Sequence, residues 1–549
     1  MTSVIDRQNA TVSNAKATET SEIALDGYGL TLEDVRNVAT QPGKVGLSIS
    51  PASVIRMVAS QESKDRIVES GIPIYGVTTG FGDSSGRQIS PDKAIALQRN
   101  LLRFLRVGQG PIAPDEVIRA TMLIRANSAA RGNSGISQEP IQLILTLLEN
   151  DLLPSIPERG SVGASGDLAP LSYLAAALTG EGTLRHQGQE LPAASAIRST
   201  GLKPVSLVAK EGLALVNGTS FMAGYATLAL AEATELAWAA ELCTALATEI
   251  RRSSRDQFHA FPHEHKPHPG QVASAANIYQ MLSDSPSVVS DTDLVGPGSG
   301  EGREYIELER KIQDPYSIRC APHVVGVLRD TVAWADPWLS NEINSSNDNP
   351  LFDADTDTVH YSGNFYGGHV AQATQAISSA VASLADLLDR QLALMVDEKF
   401  SLGLTPNLIA PTEPEDFEAG LHHGFKGAQI AASALTAEAL HLTMPMSSFS
   451  RSTEAHNQDK VSMGTIAARH SYTVVQLASQ VTAIHLLALC QAADLTGTDK
   501  LGSTTRTAQA YIRKHVAFLA EDRPMDSEID AIATLLRSGE IRRNVLRQA

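Results

Sequence analysis

Four Ala- and Leu-rich runs, 223–251, 366–399, 425–442 and 461–495, constrain this chain more than any other feature of it. Helices of globular proteins average about three turns. Much longer ones are stable only when neighbours bury their apolar faces, so the second half of the chain reads as a helical bundle. The longest apolar stretch, 227–250, is interrupted by Glu232, Glu235 and Glu241, a spacing that fits a bundle helix and not a membrane span. Ahead of the bundle, 30 to about 222 mixes short helices with Gly/Pro turns and suggests a small hairpin at 182–191. Met1 to Ala24 are polar and rich in Ser, Thr, Asn and Ala, with no apolar core of the kind a signal peptide needs. The expected fold class is therefore mainly α. It comprises a disordered tail at 1–28, a mixed N-terminal domain at 29–222, and a bundle core with C-terminal helices at 223–549.

Composition narrows the partners. A chain of 549 residues, 43% hydrophobic and 19% charged, can bury a large core. Its net charge of −17 argues against nucleic acid or an anionic membrane, both of which reward clustered Lys and Arg, and favours a small-molecule substrate. Cys243, Cys320 and Cys490 are isolated and form no disulfide framework, so a cytoplasmic location is expected. His259, His263, His265 and His268 lie among prolines, beside Lys266, without partner cysteines or a zinc spacing, so no metal is expected. Gly296-Pro297-Gly298-Ser299-Gly300-Glu301-Gly302 follows no convincing strand and lacks the Lys-Ser/Thr of a phosphate loop. It reads as a hinge, which would make 313–320 a mobile lid.

One thirteen-residue run, Gly160-Ser161-Val162-Gly163-Ala164-Ser165-Gly166-Asp167-Leu168-Ala169-Pro170-Leu171-Ser172, carries chemistry. Gly166 has no Cβ to obstruct its nitrogen as it closes on the carbonyl carbon of Ala164. Ser165 can then lose its hydroxyl and α-proton as water, leaving an exocyclic methylene on a five-membered ring. From Leu168 the sequence reads as a helix with Pro170 in its first turn, whose positive end would face that group and draw electrons into it.

The whole run resembles the cofactor loop of the histidine, phenylalanine and tyrosine ammonia-lyases and their related aminomutases. There, Ala-Ser-Gly condenses to 4-methylideneimidazol-5-one (MIO). On that resemblance, Ala164, Ser165 and Gly166 form the cofactor. Tyr75, in Tyr75-Gly76-Val77-Thr78-Thr79-Gly80-Phe81-Gly82, resembles the family's catalytic tyrosine. A phenol with a reference pKa near 10 must be shifted downward to act as a base near neutrality, and cations or helix N-termini nearby are expected to do it. The guanidinium fork of Arg319 suits a carboxylate. It stands with Gln313 and the catalytic Tyr316 in the family's outer-loop pattern. Asn217 resembles the Asn that hydrogen-bonds near the ring, Phe365 a residue that packs beside it, and Glu454, Asn457 and Gln458 residues that face the substrate. The resemblance covers about 30–494. It implies a fumarase/aspartase-like lyase fold, a homotetramer whose sites combine segments of several subunits, and no metal or nucleotide.

In that family the substrate's ring is read by a residue pair that the resemblance places at Phe104-Leu105. An apolar pair cannot satisfy a buried phenol or imidazole, and leaving such a group unpaired is costly. Lys426 and Gln458 also resemble phenylalanine lyases, whereas Tyr366 departs from the Gln or His of many relatives. The expected activity is deamination of L-phenylalanine to trans-cinnamate and ammonia. The alternatives are an aminomutase giving β-phenylalanine, or a lyase acting on L-tyrosine or L-histidine.

Overall fold

The computed structural model describes residues 22–295, 304, 305, 307, 308 and 311–548. The expected tail at 1–21 and the Gly-rich hinge at 296–302 lie outside the described residues.

Nine helices position the features that follow. Four belong to the first part of the chain: α1 (Ala94–Leu105), α2 (Asp115–Ala130), α3 (Leu168–Leu178) and α4 (Glu211–Val216). Five build the bundle: α5 (Ser220–Ile250), α6 (Ala321–Ile343), α7 (Gly368–Val396), α8 (Lys426–His441) and α9 (Gly464–Thr496). α5, α7 and α9 pack against one another, α6 lies against α5 and α7, and α8 against α7 and α9. The four expected runs thus appear as α5, α7, α8 and α9, each within a few residues of its expected ends. α6 was not expected. Pro322 and Pro337 interrupt its pattern, yet Pro322 sits in the first turn, where a missing N–H costs nothing, and tertiary packing carries the chain through Pro337.

α5 is buried almost all round. Its acidic residues are paired inside the protein: Arg542 donates twice to Glu235, both at 2.8 Å, and Arg329 donates to both oxygens of Glu241 at 2.6 and 2.7 Å. Burial pushes the Glu232 carboxyl up to about 7. α9 is the one helix among the described residues long and apolar enough to cross a membrane, and it lies mostly buried in the bundle.

The strands are short. Thr183–His186 pairs antiparallel with Gln189–Pro192, the expected hairpin, and Leu153–Pro154 adds to its edge. Residues 22–28 correct the expected extent of the tail: Glu22–Leu25 pairs in parallel with Gly46–Ile49. Four residues are too few to read as a strand without the partner that completes them. One hydrophobic cluster runs from Leu25 to Val545, and α2 packs on α5, so the boundary expected near 222 falls within α5 and no gap in the core marks it.

Candidate active site

The loop 160–167 is held from three sides. Gly166 forms a bridge with Gly218, and the Asp167 N–H donates to the Gly218 carbonyl at 2.7 Å. Gly166 has φ +68°, and a Cβ there would stand 2.1 Å from the Gly218 oxygen, so no other residue fits. On another side Ser462 Oγ donates to the Gly163 carbonyl at 3.0 Å, and the Met463 N–H to the Val162 carbonyl at 3.0 Å. From the third, Asn217 Nδ2 donates to the Ser165 carbonyl at 2.8 Å, while Gln458 Nε2 lies 3.2 Å from Ser165 Oγ.

Three helices start at this loop. α3 begins two residues after Gly166, as its Pro170 predicts. Asp167 caps a neighbouring helix: one carboxylate oxygen accepts the Met222 N–H in the first turn of α5 at 2.8 Å, the other the Thr465 hydroxyl in the first turn of α9 at 2.6 Å. The positive ends of α3, α5 and α9 therefore abut the loop. Asp167 is fully buried, and desolvation outweighs these donors, pushing its carboxyl up to about 7. The folded state thus holds the Asp167 proton more tightly than the unfolded chain. Its stabilising contribution is present below pH 4 and lost as pH rises to about 7. Melting temperature measured from pH 4 to 8 should fall less steeply in Asp167→Asn than in the wild type; equal slopes would refute this assignment.

Beside the loop lies a cavity of about 520 Å³, within the range of small-molecule sites. Tyr75, Phe104, Leu105, Ala164, Ser165, Asn217, Phe365, Glu454, Asn457 and Gln458, all expected from the sequence, line it. Gln98 of α1 ties its walls together: its Oε1 accepts the Leu213 N–H of α4 at 2.8 Å, and its Nε2 donates to the Gly76 carbonyl beside Tyr75 at 2.8 Å. Asn217 ends α4, and its carbonyl accepts from the buried Arg125 Nη1 at 2.7 Å. Arg125 shows how a charge far away in sequence fixes the amide that touches Ser165.

The Tyr75 hydroxyl accepts the Gly82 N–H at 2.9 Å. Contrary to the expected downward shift, burial pushes the phenol above its usual range; the Gly82 N–H opposes this, and the Glu454 carboxylate adds to it. Glu454, expected to face the substrate, is instead the charge beside Tyr75, and it also accepts the Asp83 N–H at 3.1 Å and the Asn457 Nδ2 at 3.0 Å. Glu454, Ala455 and His456 all have left-handed backbone (φ 52°, 51° and 67°), a strained turn closed by the Thr453–Gln458 bridge. Gly82, φ +53°, leaves the space for it, since a Cβ there would lie 1.6 Å from Glu454 Oε1.

Four expected residues lie outside this cavity. Gln313 and Arg319 line a second one with Asp314, Cys320 and His323, and the Arg319 guanidinium stacks 4.4 Å from the centre of the exposed Tyr316 ring. Lys426 is exposed at the start of α8. Conversely, Phe81, Leu101, Leu213, Asn349, Asp459 and Lys460 line the first cavity without having been singled out. Phe81 falls inside the Tyr75–Gly82 run, and Asp459 and Lys460 directly follow Gln458. Asn349 carried no signal. In the His259–His268 segment, His263 is fixed by the Gln257 carbonyl at 3.1 Å and Gln271 Nε2 at 3.1 Å. No cluster of metal-ligating side chains occurs among the described residues.

Comparison with known proteins finds relatives along nearly the whole chain. The family profile described as aromatic amino acid lyase matches residues 30–514. A histidine ammonia-lyase of Gloeobacter violaceus is 38% identical over 95% of this chain and 97% of its own length. A tyrosine ammonia-lyase of Cupriavidus metallidurans is also 38% identical, over 94% and 96%. Among solved structures, the tyrosine aminomutase of Streptomyces globisporus superposes with a TM-score of 0.89 at 36% identity, covering 96% of this chain and 99% of that one.

Proposed function

Because this chain belongs to the aromatic amino acid lyase family, the MIO-dependent carbon–nitrogen lyases and aminomutases, we propose that it converts L-phenylalanine to trans-cinnamate and ammonia, with MIO formed from Ala164-Ser165-Gly166. The observation that carries this reading is the convergence of Tyr75, Asn217 and Gln458 on one cavity around Ser165, with Phe104 and Leu105 in its wall. The loop fits the group: the glycines at 163 and 166 leave room for a closed ring, and the Ser165 carbonyl, which the ring retains, already has a donor in Asn217. When formed, MIO supplies an electrophile for the substrate amine. Asn217 and the three helix starts draw electron density toward that group. Tyr75, as the phenolate, takes a proton from the β-carbon; the C–N bond breaks, ammonia leaves, and a double bond joins the α- and β-carbons.

The apolar wall selects the substrate. Phe81, Leu101, Phe104, Leu105, Leu213 and Phe365 present no donor or acceptor to a phenol or an imidazole, so the ring of phenylalanine loses least on entering. The relatives quoted above are named for histidine and tyrosine, so the choice of phenylalanine rests on this wall. We assign the carboxylate to Arg319 of another copy in a homotetramer with shared sites, in keeping with its place away from its own chain's cavity. The cysteine usage supports a cytoplasmic location.

The test is incubation with L-phenylalanine, L-tyrosine and L-histidine, following cinnamate-type absorbance and separating β-amino acids by chromatography. Cinnamate formed fastest from L-phenylalanine supports the proposal. The match to a tyrosine aminomutase favours a second reading, in which β-phenylalanine accumulates instead. Phe104→His places a donor at the ring end and should shift the kcat/KM ratio toward L-tyrosine by about 10- to 100-fold. An unchanged ratio would remove Phe104 from the specificity wall.

A further inference from the structure

The cavity that holds Ser165 is lined by two carboxylates, Glu454 and Asp459, and among the described lining residues by one cation, Lys460. Glu454 is engaged by the Asp83 N–H and by Asn457. Lys460 is exposed and makes no hydrogen bond or ion pair with a described residue. An ammonium left unpaired beside a site for an amino acid offers a partner to a substrate carboxylate that the two acidic side chains would otherwise repel.

Its backbone position supports the same role. Two residues before it, Gln458 Nε2 reaches Ser165 Oγ; two residues after it, Ser462 Oγ holds the Gly163 carbonyl. Between these pins, the buried Val461 donates its N–H to Ser450 Oγ at 3.0 Å. Lys460 is thus tethered within about 7 Å along the chain of two residues that touch the reacting loop, with a flexible four-carbon stem to extend its charge into the cavity.

We propose that Lys460 is a second cationic anchor for the substrate carboxylate, acting from the same chain as Ser165 and independently of Arg319. This rests on the assignment of an aromatic amino acid as substrate. Lys460 sets affinity, and Tyr75 and Ser165 carry the chemistry. Neutralising it weakens the binding of every ligand with a carboxylate, whatever its ring and whether or not it carries an amine.

The experiment uses the full-length enzyme and its Lys460→Met and Lys460→Arg variants. It compares kcat and KM for L-phenylalanine and L-tyrosine at low and high ionic strength, with cinnamate binding by calorimetry. Lys460→Met should raise KM for both amino acids, and the Kd for cinnamate, by about tenfold, with a smaller change in kcat. Lys460→Arg should restore both, and added salt should shrink the difference. Unchanged KM and Kd in Lys460→Met would overturn the proposal, as would cinnamate binding to neither protein. A KM that rises for L-tyrosine alone would also overturn it, placing Lys460 at the ring end. Wild-type protein that turns over no aromatic amino acid would instead refute the assigned activity, a result read separately from the cinnamate titration.

Discussion

Alanine at position 165 should lower kcat for L-phenylalanine by at least about 10³-fold. Without the Ser165 hydroxyl, no water can leave from its Cβ, so the methylene of the proposed ring cannot form. The loss is chemical and leaves the scaffold intact. Ser165 is only half-buried, the Asn217 contact is made to its backbone carbonyl, and of the contacts that hold the loop only that of Gln458 Nε2, at 3.2 Å, involves its side chain. The melting temperature should therefore stay near that of the wild type. Intact mass gives the independent readout: the wild-type polypeptide should be lighter than its sequence by two waters, and Ser165→Ala should lack the loss from the side chain. Turnover by the variant within tenfold of the wild type would eliminate Ser165 as the source of the electrophile.

The second large effect belongs to Tyr75. Removing its hydroxyl in Tyr75→Phe should lower kcat by about 10²- to 10⁴-fold, the range for loss of a positioned general base, with a smaller change in KM. The sign of the pH dependence follows from the surroundings. A base works deprotonated, and burial together with Glu454 pushes the Tyr75 phenol up, so kcat/KM should climb on the alkaline side of neutrality. Glu454→Gln removes the neighbouring negative charge and should move that rise to lower pH. A rate profile whose alkaline limb is the same in Glu454→Gln and the wild type would separate Tyr75 from the titrating step.

Much of this was legible in the linear sequence, for identifiable reasons. The Gly160–Ser172 run, the Tyr75 octapeptide and Asn217 are local stretches whose residue types are set by the job they do, and the structure brings all three to one cavity. α5, α7, α8 and α9 were visible because a helix buried on most sides writes its period over many turns. α6 was hidden by two prolines. The Glu22–Leu25 strand was hidden because half of its evidence lies in Gly46–Ile49. The electrostatics of Tyr75 were the least legible, since they depend on burial and on Glu454, which approaches from 379 positions away where Gly82 leaves it room. Arg125 was equally silent: a lone arginine within α2 gives no hint that it grips the Asn217 carbonyl. Gln313, Tyr316, Arg319 and Lys426 stand out only through their resemblance to the family's pattern, and one chain by itself does not gather them at the loop.

The grip on the loop also determines when its proposed chemistry can begin. Asp167 meets Met222 across 55 positions, and Gly163 meets Ser462 across 299. A nascent polypeptide leaving the ribosome cannot assemble that clasp until most of its length has emerged. Ring closure is thereby tied to the folding of the whole chain: a polypeptide that stops before Ser462 lacks one side of the clasp.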